Sequence, residues 1–205
     1  MNAIERLTEK FRDFPGIGPR QSKRFVYFLL SRNRAYLEEL SRLILEVKKE
    51  VHVCTSCFRF FAKNGGGNLC TQCASKTRDH SLLLLVEKDV DLENIEKTHL
   101  YNGLYFVMGG TIPILEKEPE TRVRLAELFD RVKLDSEKNG LKEIIIAFSV
   151  NAEGENTTHL VEEKLRTLIE KHELKISHLG RGLSTGSELE YVDGETLKGA
   201  LKNRF

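Results

Sequence analysis

Four cysteines fall in two Cys-x-x-Cys pairs, Cys54 with Cys57 and Cys70 with Cys73, and the chain holds no others. Each pair turns two thiolates to one side of a tight turn, and the short loop between the pairs brings them together. That is the donor set of a closed tetrahedral Zn²⁺ site. The loop, Phe58 to Leu69, contains Gly65, Gly66 and Gly67 and so can fold back at little steric cost. Four protein ligands leave no open coordination position, so the metal is expected to be one structural Zn²⁺ per chain and not a catalytic one. The alternative, two disulfides, needs an oxidising compartment. The N-terminus, charged from Glu5 onward, does not read as a secretory leader, and no stretch nears the roughly 20 apolar residues of a membrane span. His52 lies beside the cluster but is surplus to a set of four thiolates.

Charge is divided along the chain. Residues 1–78 carry 15 Lys and Arg against 7 Asp and Glu; residues 79–205 carry 17 against 24. The overall charge of +1 hides a basic part joined to an acidic one. A basic part suits a polyanion and an acidic part suits proteins or a metal, although two ordinary solvated surfaces give the same tally.

Ile4, Leu7 and Phe11 recur at helical spacing, so the chain opens on a short amphipathic helix. It ends at Phe14-Pro15-Gly16-Ile17-Gly18-Pro19, where Pro15 disfavours helix at Phe14 and Pro19 suits the first turn of the next helix. Phe25, Phe28 and Leu29 share a face of that second helix, and Ile17 is placed to fill the gap between the two. This pattern is a helix-hairpin-helix. Gly16 and Gly18 let backbone amides approach a phosphate, the following helix adds its positive end, and Arg20, Lys23 and Arg24 flank the turn. The expected ligand is a nucleic-acid backbone, bound without regard to sequence; a plain turn between two helices is the alternative. Leu37, Leu40, Ile44 and Val47 mark a third helix whose apolar stripe serves a core or a subunit contact.

From Leu82 the pattern changes. Leu82–Val86, Leu104–Val107 and Ile144–Phe148 are continuous apolar runs, as in strands buried on both faces, and Leu174–Leu179 is a weaker fourth. Helical periodicity lies between them, over residues 119–132 and 158–171. Strands alternating with helices argue a parallel sheet, whose ligands gather at the C-terminal strand ends. Glu87 follows the first strand, and Glu153 and Glu155 follow the third. Carboxylates there can hold Mg²⁺ weakly; equally, Glu153 and Glu155 suit the N-terminus of the next helix.

These segments together resemble the RecR family of bacterial recombination mediators, over nearly the whole chain and in the same order. The carrying segments are Phe14–Arg20, the four cysteines, Leu84–Glu87 with Ser149–Glu155, Tyr105–Ile112 and Arg181–Tyr191. The resemblance implies a fold in four parts: helix-hairpin-helix (1–51), four-cysteine zinc finger (52–78), a Toprim α/β domain with a parallel sheet (79–178) and a short C-terminal segment (179–205). It implies a non-enzymatic cytoplasmic, nucleoid-associated scaffold of recombinational DNA repair. Such proteins form dimeric or tetrameric rings on double- or single-stranded DNA. With RecO, and in some contexts RecF, they promote loading of RecA onto DNA coated by single-strand-binding protein. Carried over by motif, Arg20, Lys23 and Arg24 face DNA, and Glu87, Glu153 and Glu155 line the Toprim edge that RecO contacts.

Three departures stand out. The loop between the cysteine pairs is longer than usual for the family, and Ser184 stands where the family often has Pro. Ser149 and Asn151 occupy the positions at which catalytic Toprim enzymes carry two Asp, a pair RecR proteins also lack. A residual metal-dependent Toprim nuclease is the second reading, and a zinc-ribbon factor that binds only protein is the third. No phosphate-binding loop with its lysine is present, and Tyr101, Tyr105 and Tyr191 read as packing residues.

Overall fold

The computed structural model describes residues 1–62, 67–179, 183, 186 and 188–202. The expectation about the tip of the finger loop, and that about Ser184, fall outside those residues, as does much of the Arg181–Tyr191 segment. The chain divides into two compact units, Met1–Val51 and a second beginning at His52.

The first unit is helical. Helix α1 (Ala3–Arg12) starts at Asn2, whose side chain accepts from the Glu5 amide while the Glu5 carboxylate accepts from the Asn2 amide. Helix α2 (Pro19–Leu30) begins immediately after Gly18, and α3 (Arg34–Glu50) is capped by Asn33. Between α1 and α2 the packing runs through buried Thr8, Ser22 and Val26, with Phe11 and Phe25 edge to face at 5.7 Å. Of the Phe25, Phe28 and Leu29 face that periodicity picks out, Phe25 meets Phe11 of α1 and Leu29 is half-buried, while Phe28 stays exposed and Ser22 and Val26 are the buried positions of α2. Helix α3 buries none of its residues, and Leu43, Ile44, Leu45 and Val47 are all exposed.

At the boundary between the units begins a two-stranded ribbon, β1 (Val51–Val53) and β2 (Phe60–Ala62), followed in the second unit by a single turn, α4 (Thr71–Ala74). Then come β3 (Asp79–Val86), α5 (Asp89–Lys97), β4 (Gly103–Val107), α6 (Leu125–Lys138), β5 (Glu143–Ala147), α7 (Ala152–His172), β6 (Lys175–His178) and α8 (Gly194–Lys202). The four longer strands form one sheet in the order β4-β3-β5-β6, every neighbouring pair parallel.

Successive residues of a strand point to opposite faces, so the apolar run of β3 divides between two cores. Leu83 and Leu85 pack with Phe106, Leu128, Val132 and Leu165 under α6 and α7. Leu84 and Val86 pack with Tyr105, Val107 and Leu92 under α5. Both faces are covered, which is why the strand reads as continuously apolar and not alternating. Tyr101 and Tyr105 are packing residues, with ring centroids 5.1 Å apart, whereas Tyr191 is 80% exposed.

Two helix starts differ from the periodicity. Pro119 opens only a single 3-10 turn, and α6 starts at Leu125. Helix α7 starts at Ala152 because Asn151 caps it, its side-chain oxygen accepting from the Gly154 amide at 2.8 Å. Glu153 and Glu155 therefore lie in the first turn of α7, where negative charge is favoured by about 0.3–1 kcal/mol.

Candidate functional site

The cysteine cluster is assembled by backbone geometry. The Cys54 amide donates to the Arg59 carbonyl at 2.9 Å and the Phe58 amide to the Cys54 carbonyl at 2.9 Å, closing the first turn. The Thr55 amide reaches across to the Asn68 carbonyl at 3.0 Å and sets the second pair beside the first. Cys54, Cys57 and Cys70 are buried and Cys73 is half-buried. All four Sγ atoms lie within 4.8 Å of one another. Four sulfurs at the usual Zn–S length of about 2.3 Å stand about 3.8 Å apart at the corners of a tetrahedron, and Cys57 Sγ and Cys70 Sγ are separated by 3.5 Å. A disulfide requires about 2.05 Å, and all four cysteines are free. The Cys70 amide donates to Cys54 Sγ at 3.3 Å, the kind of bond that supports a thiolate. Hydrogen bonding with Cys57 and the other two drives the Cys54 thiol below its ordinary value, while the contact with Cys54 first, and burial after it, push Cys57 and Cys73 above theirs. The protein alone cannot hold four thiolates side by side; a divalent cation can. The residues fit a structural zinc. His52 is exposed and outside the cluster.

At the hairpin, Gly16 has φ +74 and the Ile17 amide closes the turn onto the Phe14 carbonyl at 3.1 Å. Nothing lies within 4 Å of a Cβ built on Gly16 or Gly18, so the turn presents bare backbone to solvent. Unlike α1 and α3, α2 receives no side-chain cap at its N-terminus. Arg20, Lys23 and Arg24 are exposed on that helix, and Arg24 bonds Gln21 at 3.3 Å. Among the described residues none of the three has a carboxylate within ion-pairing distance, whereas Lys10, Arg12, Arg34 and Arg42 each do. Uncompensated positive charge around an uncapped helix start is suited to a phosphate backbone.

The three carboxylates of the acidic sheet edge stand in different surroundings. Glu87 is 6% exposed, and its carboxylate accepts the Ser149 amide at 2.5 Å, pinning the loop between β5 and α7. Glu153 is exposed and accepts the Thr111 hydroxyl at 3.0 Å; Glu155 is exposed on the same turn. Gly154 between them is required by close approach: a Cβ there would stand 1.9 Å from the Ser149 carbonyl oxygen. Among the described residues, only the four cysteines bring three or more His, Cys, Asp or Glu ligand atoms within 4.8 Å of one another.

Several residues that hold this edge carry no signal in the sequence. Thr157 accepts the Ile112 amide at 2.8 Å, and Asn156 donates to the Ile112 carbonyl at 3.0 Å, fastening the loop after β4 to α7. The Asp89 carboxylate accepts the Phe60 amide at 2.7 Å and ties the ribbon to α5. Arg78 pairs with Glu96, which also accepts the Tyr105 hydroxyl at 2.8 Å. Only contacts between distant segments reveal these roles.

Comparison with known proteins agrees with the geometry. Residues 4–48 match the RecR helix-hairpin-helix family, residues 81–180 the Toprim domain, and residues 182–204 the RecR C-terminal family. Recombination protein RecR of Bifidobacterium adolescentis is 36% identical over 98% of this chain and 95% of its own length. That of Chlorobium chlorochromatii is 33% identical over 98% and 96%, and that of Bdellovibrio bacteriovorus 32% over 100% and 97%. A helix-hairpin-helix, a four-thiol metal cluster and a parallel Toprim sheet in this order, with relatives matched end to end, make the chain a member of the RecR family, with a role in recombinational DNA repair.

Proposed function

We propose that the protein is a non-enzymatic DNA-binding scaffold that, with RecO and in some contexts RecF, promotes loading of RecA onto DNA coated by single-strand-binding protein. The observation that carries this reading is the hairpin turn. Bare Gly16 and Gly18, an uncapped α2, and Arg20, Lys23 and Arg24, with no carboxylate partner among the described residues, form a surface that can grip phosphates and read no bases. The ligand is then duplex or single-stranded DNA of any sequence.

The four parts take separate roles in this reading: 1–51 grips DNA, 52–78 is held by one zinc ion, 79–178 offers the acidic edge to RecO, and 179–205 is a short C-terminal segment. A second copy covers the exposed apolar residues of α3, giving the dimeric or tetrameric ring. A ring multiplies weak phosphate contacts through high effective concentration. A cytoplasmic, nucleoid-associated setting follows from the DNA ligand and the reduced thiols. No helix among the described residues is long and apolar enough to cross a membrane.

Absence of catalysis is supported by what stands in place of the Toprim aspartates. Ser149 and Asn151 bring no charge to a cation, and the Asn151 side chain is engaged as a helix cap. Glu87 is turned inward onto Ser149, so weak Mg²⁺ binding would fall to Glu153 and Glu155.

The test is RecA filament formation on DNA covered by single-strand-binding protein, followed with RecO, with this protein, and with both. Acceleration only when both are present supports the scaffold. An unchanged rate with both would overturn it, and Mg²⁺-dependent nicking would bring back the nuclease.

A further inference from the structure

The metal knuckle and the acidic sheet edge sit at opposite ends of a short chain of contacts. The Val107 amide, at the end of the edge strand β4, donates to the Cys57 carbonyl at 2.8 Å. The next residue in the knuckle, Phe58, has φ +61, a left-handed conformation that a bulky side chain holds only when its surroundings impose it. Its ring packs on Phe106 at 5.3 Å, and the Arg124 guanidinium lies over that ring, 5.5 Å from its centre.

Arg124 closes the chain. Its guanidinium donates to the Val107 carbonyl at 2.7 Å and its own amide donates to the Met108 carbonyl at 3.0 Å. Gly109 follows at φ +97, and a Cβ there would press on the guanidinium at 3.2 Å, so the loop passes directly beneath Arg124. The Gly109 amide is held by the Glu87 carbonyl at 2.9 Å, and Glu87 holds Ser149 through its carboxylate. Two residues on, Thr111 bonds Glu153.

We infer that Arg124 is a positioning residue that couples the metal-bound knuckle to the loop presenting Glu153. The four thiolates on their metal keep the Cys54–Phe58 turn closed and so keep Phe58 left-handed. Phe58 supports the guanidinium, and the guanidinium fixes Val107–Gly109 and through it the edge. Loss of the metal releases Phe58 and loosens the edge while the hairpin of the first unit keeps its conformation. The consequence for RecO rests on reading that edge as its docking surface; the coupling itself does not.

Amide hydrogen exchange on the full-length protein tests it, comparing the zinc-loaded wild type, the chelator-treated wild type, R124Q and R124K, with bound zinc counted in each. Zinc removal should speed exchange at Val107, Gly109, Ile112 and Ser149 and leave α2 unchanged. R124Q, still holding one zinc per chain, should speed the same amides by about tenfold or more, as expected when a charge-assisted hydrogen bond is removed from a local opening. R124K, able to reach the Val107 carbonyl but not to lie flat on Phe58, should fall between. Should R124Q fail to fold, F58L reads the same link, with zinc retained and the loop loosened. Unchanged loop exchange in zinc-bound R124Q or F58L, or a rise that extends equally through β6 on zinc removal, would overturn the inference. Failure of RecO to bind would count against the docking reading and leave the coupling standing.

Discussion

The Val107 amide donates to the carbonyl of Cys57 at 2.8 Å, so the outer strand of the parallel sheet is hydrogen-bonded to a residue of the four-cysteine cluster. The finger is therefore continuous with the sheet and is not an appendage on a flexible tether. That bond is the first link in the coupling inferred above.

Metal analysis of freshly purified protein should find one zinc per chain. Cys54→Ser removes a buried ligand and one end of the Cys70 amide bond, and binding energy at such a site is folding energy. A large fall in the thermal midpoint of the second unit is expected, with a smaller fall for His52→Ala, whose side chain is exposed. Differential scanning calorimetry with and without chelator reads both.

At the hairpin, every phosphate that a variant no longer neutralises should lower the slope of log affinity against log salt by about 0.9 on duplex and about 0.7 on single strands. Lys23→Ala and Arg24→Ala should each weaken binding by a similar factor on unrelated sequences. Fluorescence anisotropy across a salt series measures both, and slopes equal to wild type would remove these side chains from the interface.

Acid should loosen the join between finger and sheet. Burial would raise the Glu96 carboxyl, but bonds from Arg78 and Tyr105 outweigh it and hold Glu96 below its ordinary value. A depressed carboxylate contributes stability above its unfolded pKa of about 4.3, and that contribution is lost as pH falls through the folded value. Urea midpoints should therefore drop below about pH 4 in the wild type. Glu96→Gln should be less stable at neutral pH and lose less on acidification; equal acid losses in the two proteins would count against this pairing.

The features legible in the sequence are the local ones. Two Cys-x-x-Cys pairs specify a metal cluster by spacing alone, and Leu82–Val86 announces a strand covered on both faces. Asn151 is less visible. It stands where Toprim enzymes have an acid, and only the observed bond to Gly154 shows that it begins α7 six residues before the apolar periodicity starts at Thr158. Glu87 reads as an edge carboxylate by position, yet its burial and its bond to Ser149 depend on how β3 and β5 lie side by side. Arg124 is one arginine among many until the fold places it over Phe58. Residues whose partners lie tens of positions away leave no periodic trace.

By periodicity, the apolar stripe of α3 suits a core or a subunit contact equally. Within the first unit it buries nothing. Ile44→Asp should lower the molar mass seen by light scattering without loss of helix by circular dichroism, since a charge at the centre of an apolar interface leaves the single chain's packing untouched. An unchanged mass would place the subunit interface elsewhere.

The most direct test of the scaffold is the light-scattering mass of the zinc-replete protein, alone and with a short duplex containing a single-stranded gap, across a salt series. A dimer or tetramer that binds the DNA at low salt and releases it as salt rises is the predicted result. A chain that stays monomeric and ignores the DNA at the lowest salt would contradict it.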